Sequence, residues 1–149
     1  MPKTARRPKF GIEEMTTAEA AAWLHEKAID ELTLAIGAIE AGDIEFRCNS
    51  VNLTAEAIAT LHMAIDYENG GETAERMGAI YRFVLANLIR INLQNDADLA
   101  AQIIRVLMPL REAWRVAAEV ATYEAATSED PILLERFDKA SRSAEAATA

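Results

Sequence analysis

Between Pro8 and Pro109 the chain runs for a hundred residues without a proline. Proline ends or kinks helices because it lacks an amide hydrogen and its ring collides with the preceding turn. A stretch this long without it permits several helices, and the apolar residues are spaced for them. Trp23, Leu24, Ala28, Ile29, Leu32, Ala35, Ile36 and Ile39 recur at helical steps. Thr16 and Glu19 have capping-box spacing before them, and Gly42-Asp43 is a stop followed by a start. A second helix carries Ile44, Cys48, Val51, Ala55, Ile58, His62 and Ile65, alternating steps of four and three. Asn69-Gly70-Gly71 is the clearest break. A third seam follows in Ala74, Met77, Tyr81, Val84, Leu88 and Ile91. After Gln94-Asn95-Asp96 comes a fourth, in Leu99, Ile103, Val106, Leu110, Ala113, Ala117 and Val120. Pro109 sits inside that last pattern and predicts a kink between Arg105 and Pro109.

The spacing predicts helices over 17–41, 44–67, 72–93 and 97–125, to within roughly 2 to 4 residues. Connections this short make sequential helices antiparallel neighbours. The expected fold class is all-α: an antiparallel up-down four-helix bundle over 16–126. It has a flexible basic N-terminal arm over 1–15 and a short C-terminal appendage over 127–149. In that appendage Ser128-Glu129-Asp130-Pro131 opens one or two amphipathic turns, and fraying is expected beyond Lys139.

Composition narrows the function. Thirty alanines and only 6% aromatic residues, with 6 glycines and 4 prolines, argue against a β-sandwich or a low-complexity chain. The lone Cys48 excludes an intrachain disulfide and a multi-cysteine zinc site. No apolar run approaches the roughly 20 residues of a membrane helix, so no membrane insertion is expected. The basic start leads into no apolar run, so the expected address is cytoplasmic. Net charge is -9, yet residues 1 to 12 carry Lys3, Arg6, Arg7 and Lys9 and no acid, which leaves -13 on the rest. An acidic body repels phosphate backbones, so nucleic acid is not an expected partner.

Catalytic chemistry is not legible. A di-iron bundle needs Glu-x-x-His pairs, and here Ala22 and Ala59 stand three residues before His25 and His62. No metal, cofactor or enzymatic activity is expected. His62 and Cys48 share the second apolar seam and are expected inside the bundle, the thiol inert. His25 is expected on a solvated rim. What the sequence has in excess is apolar surface. A bundle helix needs about three apolar positions in seven. The second helix has a further row in Phe46, Leu53, Ala57, Leu61 and Ala64. The fourth has one in Ile104, Leu107, Met108, Trp114, Ala118 and Ala121. A wide core, a homodimer contact and a groove for another helix all account for these rows.

The run Ile65-Asp66-Tyr67-Glu68-Asn69-Gly70-Gly71-Glu72-Thr73-Ala74 resembles the LDxxxGGEIA signature of the flagellar secretion chaperone FliS family. Ile80-Tyr81 falls on that family's Leu-Tyr pair, and Ile91-Asn92 with Asp96 on its Ala-Asn and later Asp. Leu110-Arg111-Glu112-Ala113-Trp114 falls on its Leu-Arg-x-Ala-Trp motif. Upstream, Thr17-Ala18-Glu19 and Leu24-His25-Glu26-Lys27-Ala28-Ile29 resemble the start of its first helix, and Ala41-Gly42-Asp43-Ile44 its first turn. The resemblance covers residues 16 to 121. Phe10-Gly11-Ile12 stands where the family arm usually has a tyrosine, and Lys27 stands where it has a glycine.

The resemblance implies a cytoplasmic export chaperone. It would bind the disordered C-terminal segment of flagellin, prevent premature polymerisation and keep flagellin competent for export. It also implies that the arm shields part of an apolar groove. Contact with the flagellar export apparatus stays open. The alternative is a self-associating structural or regulatory bundle whose extra rows close a homodimer. The partner-binding surface should be apolar and off the four-helix seam. The candidates are Leu53, Ala57, Leu61 and Ala64 on the second helix, Ile80 on the third, and Ile104, Leu107 and Met108 on the fourth.

Overall fold

The computed structural model describes residues 15–128 and 131–147. Five helices follow in order: α1 (Thr17–Ala41), α2 (Ile44–Met63), α3 (Tyr67–Gln94), α4 (Ala97–Ser128) and α5 (Pro131–Ala147), and no strand occurs among the described residues. The expectations for the arm fall on residues 1 to 14 and lie outside the described residues, apart from Met15.

The connections are short because each carries its own stop and start. Thr16 accepts from the Glu19 amide at 3.2 Å, and Glu19 accepts from the Thr16 amide at 3.1 Å, which completes the capping box of α1. Gly42 ends α1 in the left-handed region at φ 70°, and Asp43 next to it caps α2 through the Phe46 amide at 3.0 Å. Asn95 ends α3 at φ 52°, and Asp96 caps α4 through the Leu99 amide at 2.9 Å.

Two boundaries differ from the sequence reading. Helix α2 stops at Met63 rather than residue 67, because Asp66 caps a new turn by accepting from the Glu68 and Asn69 amides at 3.1 and 3.2 Å. That turn belongs to α3, and Gly71 (φ 55°, ψ -137°) breaks the helix just after it. Only glycine occupies such a conformation without strain. Helix α4 runs as one helix from Ala97 to Ser128 with Pro109 inside it, at the place where the sequence predicts a kink. Pro109 is exposed, so water can reach the carbonyl that its missing N–H leaves unpaired. Helix α5 is 17 residues long, well beyond the expected one or two turns, and Pro131 occupies its first position, where a missing N–H costs nothing.

Helix α1 packs closely against α2 and α4, and α2 against α3, while α3 and α4 meet only thinly. Ala21, Ala28 and Ala35 recur every seven residues on the buried face of α1, and their small side chains let neighbouring helices come close. Leu32, Ile58, Val84, Ile91, Ile103 and Leu107 fill the centre, each fully buried. Burial of each such side chain is worth about 1.5–3 kcal/mol.

The buried face of α2 is rotated from the expected seam. Arg47, Ser50, Val51, Thr54, Ala57, Ile58 and Leu61 face inward, while Ile44 is 63% exposed and Cys48 and His62 are half-buried. Thr54 Oγ1 donates to the Ser50 carbonyl at 3.0 Å, so that hydroxyl is satisfied within its own helix and packs as a small apolar group. Arg47 reaches across to α3, donating to Asn92 Oδ1 at 3.3 Å and to Asn95 Oδ1.

Candidate functional site

At the end of the bundle where α1 starts, α2 stops and α3 starts, a cleft of about 580 Å³ stays open. Helix α1 contributes Ala20, Ala21 and Leu24, and α2 with its turn contributes Leu61, Ala64 and Ile65. Helix α3 brings Ala74, Met77 and Tyr81, and α4 brings Trp114. The space exists for two reasons. Gly71 sets the first turn of α3 apart from the rest of the helix, and the residues between the helices are small: Ala20, Ala21, Ala64, Gly70 and Ala74. Apolar side chains dominate the lining. The one carboxylate, Asp66, is held below the usual carboxylate range, first by the Asn69 side-chain amide, which donates to it at 2.7 Å, and then by backbone amides.

The deepest polar group beside this cleft is His25. It was expected on a solvated rim and is instead fully buried. Both ring nitrogens have partners: Nδ1 lies 2.7 Å from the Ala21 carbonyl oxygen and Nε2 lies 3.0 Å from the Tyr81 hydroxyl. Burial holds its pKa below the ordinary histidine value, opposed by the bond to Ala21. Burial likewise pushes the Tyr81 phenol up, opposed by the nearby Trp114 indole. His62, expected inside the bundle, is half-buried, with Nε2 3.4 Å from the Tyr67 hydroxyl. The Tyr67 ring in turn lies over Gly78, where any Cβ would strike it.

The residues singled out from sequence do not share one place. Leu61 and Ala64 line the cleft. Leu53 and Ala57 line a recess of only about 30 Å³ between α1 and α2, with Trp23 and Lys27. Ile104 and Met108 lie on the flank of α4 that carries Arg111, whose ion pair with Glu26 at 3.1 Å turns that flank toward α1. Ile80 on α3 is half-buried against the core. Three of the eight do not form a surface off the core. Leu107 is fully buried, and Ala57 and Leu61 are 5% and 6% exposed. The second rows on α2 and α4 turn inward here because the bundle's real faces are rotated from the seams that hydropathy alone selects.

The cleft residues outside that set include Met15, Met77, Tyr81 and Trp114. Tyr81 and Trp114 carried the motif spacing as well as an apolar position, Met77 only a place on the third seam, and Met15 neither. Ile65, Asp66, Gly70, Thr73 and Ala74 come from the first motif, Tyr81 from the Ile80-Tyr81 pair, and Trp114 ends the last one. Segments nearly fifty residues apart thus converge on one opening. The family model described as flagellar protein FliS matches residues 3–121. The chain belongs to the FliS family.

Among curated proteins, it is similar to a flagellar secretion chaperone FliS of Campylobacter jejuni, 37% identical over 52% of this chain and 61% of that protein. The FliS of Salmonella typhimurium is 26% identical over 58% of this chain and 64% of its own length. The FliSB of Pseudomonas aeruginosa is 28% identical over 61% and 72%. The chain therefore spans a little under two thirds of the first two relatives. The FliS match ends at residue 121 inside α4, so the last turns of α4 and all of α5 lie beyond it. Among the described residues no group of three or more His, Cys, Asp and Glu is placed to hold a metal ion, and no helix is long and apolar enough to cross a membrane.

Proposed function

We propose that this chain is a cytoplasmic flagellar export chaperone that binds the disordered C-terminal segment of flagellin, prevents its premature polymerisation and keeps it competent for export. The observation that carries the reading is the convergence of the FliS motif residues on an apolar cleft that the bundle leaves open. A disordered amphipathic segment must bury apolar area to offset the cost of ordering it, and an open cleft between helices supplies that area without unfolding the host. Helix-in-groove docking suits such a partner. Ala64 is the exposed anchoring candidate at the cleft, which nearly buried Leu61 also lines, with exposed Met108 and half-buried Ile104 along α4 and half-buried Leu53 and Ile80 outside the cleft. Leu107 and Ala57 support the surface from behind.

The test is a pull-down by the full chain of full-length flagellin and of flagellin lacking its C-terminal segment. Retention of the first and loss of the second is the expected result. Retention of both, or of neither, overturns the proposal. Exposed Ile89 (62%) and Leu93 (78%) on α3 favour the competing self-associating bundle. Light scattering of the free chain decides it: a stable dimer that binds no flagellin selects that reading.

A further inference from the structure

The inner side of the cleft is held by a chain of hydrogen bonds whose direction depends on one proton. The Ala21 carbonyl can only accept, so His25 Nδ1, 2.7 Å away, carries the imidazole proton. Nε2 of the neutral ring is then an acceptor, and the Tyr81 hydroxyl donates to it at 3.0 Å. The Trp114 indole stands on the same cleft as the Tyr81 ring, and its N–H can only donate. Tyr81 and Trp114 line the cleft, whereas His25 stands behind them, fully buried. The His25–Tyr81 bond thereby ties α1 to α3 at the opening.

A second proton on His25 reverses this order. Nε2–H would donate to the phenolic oxygen. The Tyr81 proton would be left without its acceptor. Charged and titratable groups of the neighbouring elements are engaged elsewhere: Asp66 of the α2–α3 turn is held by Glu68 and Asn69, Arg111 of α4 pairs with Glu26, Lys27 of α1 pairs with Glu31, and His62 of α2 and Arg82 of α3 both meet the Tyr67 hydroxyl. They do not compensate an imidazolium.

We propose that His25 is a positioning residue for the cleft. In its neutral form it orients Tyr81, which shares the cleft with the Trp114 indole, in the arrangement that receives an apolar partner helix. Protonation disorders that wall and weakens capture as pH falls. The proposal rests on the reading of the cleft as the flagellin site. Burial keeps the folded-state proton affinity of His25 below that of the unfolded chain. The neutral, binding-competent form is therefore complete near pH 7.5 and is lost as pH falls below the ordinary histidine range.

The experiment uses the full chain with Trp23→Phe, which leaves Trp114 as the single tryptophan of the two in the sequence. A synthetic peptide of a flagellin C-terminal segment is titrated into it at pH 7.5 and 5.0, and Trp114 emission is recorded over the same range without peptide. Affinity should fall tenfold or more at the lower pH, and the emission should shift. In the double variant with His25→Gln, whose amide oxygen accepts from Tyr81 and does not titrate, both changes should shrink below twofold. Equal pH dependence with and without His25 overturns the proposal. If His25→Gln does not fold, the emission titration of Trp23→Phe alone decides, and a pH-invariant signal overturns the proposal. If the peptide fails to bind at pH 7.5, the flagellin reading fails, while the emission titration still decides the role of His25.

Discussion

The two ends of the bundle are built from similar connections and behave as opposites. At one end the α1–α2 and α3–α4 turns close the structure. Gly42 and Asn95 take left-handed backbone, Asp43 and Asp96 cap the next helices, and the buried Arg47 side chain ties the start of α2 to Asn92 and Asn95. At the other end the α2–α3 turn is capped equally well by Asp66, yet the helices part around a cleft of about 580 Å³. Capping does not separate them. What differs is what stands between the helices: a long polar side chain with partners at the closed end, and alanines and glycines at the open one. A bundle can therefore be stable as a whole while one end keeps apolar surface available.

The comparison breaks most sharply at the centre, where both ends share a core. Leu107→Ala should cost about 2–5 kcal/mol, as for other fully buried leucines. Met108→Ala, next to it but 44% exposed, should change stability by less than about 1 kcal/mol. Urea melts of the two variants check this. Equal midpoints would mean that the inward rotation of this α4 row is wrong.

The closed end is tested by Arg47→Ala. It leaves the Asn92 and Asn95 side-chain oxygens without their donor in a partly buried site, a loss of about 1–3 kcal/mol. Thermal melting should show it, and flagellin binding should be unchanged at a temperature where the variant is folded. Weakened binding there would mean that the two ends are coupled.

At the open end, Gly71→Val should cost about 1–3 kcal/mol, because φ 55° with ψ -137° is strained for any residue with a Cβ. Nothing lies within 4 Å of the position a Cβ would take, so the cost is conformational rather than steric. Glu68→Val, in the exposed turn just before it, is the control. Matching melting temperatures for the two would contradict the assignment.

How much of this was legible in the sequence follows from the same physics. Helix borders at Thr16, Gly42-Asp43 and Asn95-Asp96 were readable because caps are local and their residue types are few. The end of α2 was not, because Asp66 read as part of a continuing helix until its hydrogen bonds to Glu68 and Asn69 were seen. The buried face of α2 was misread because hydropathy counts residue types. It cannot tell that Thr54 is satisfied by its own backbone or that Arg47 has partners on α3. His25 was misplaced for the same reason, since its acceptor Ala21 is local but its donor Tyr81 is 56 residues away. Leu61, Ala64 and Trp114 stood in the extra apolar rows, but the rows of single helices did not show that they meet, because the opening is defined by residues from four helices together.

The smallest stability effect is expected from Ala64→Glu, and it separates the two ends most cleanly. Ala64 is exposed at the C-terminal cap of α2 and lines the cleft. A glutamate there can reach water in the free chain, so stability should change by no more than about 0.5 kcal/mol, as for ordinary surface substitutions. When a partner helix covers the cleft, the same carboxylate must be buried without a cation, and desolvation of an unpaired charge costs several kcal/mol. Flagellin binding should therefore fall by at least tenfold while the melting temperature stays within a few degrees. Ile58→Glu is the opposite control, since a charge at that fully buried position should unfold the bundle outright. If Ala64→Glu stays folded and still retains flagellin at full strength, the partner lies on another face of the bundle, and the exposed strip of α4 at Met108 becomes the next surface to charge.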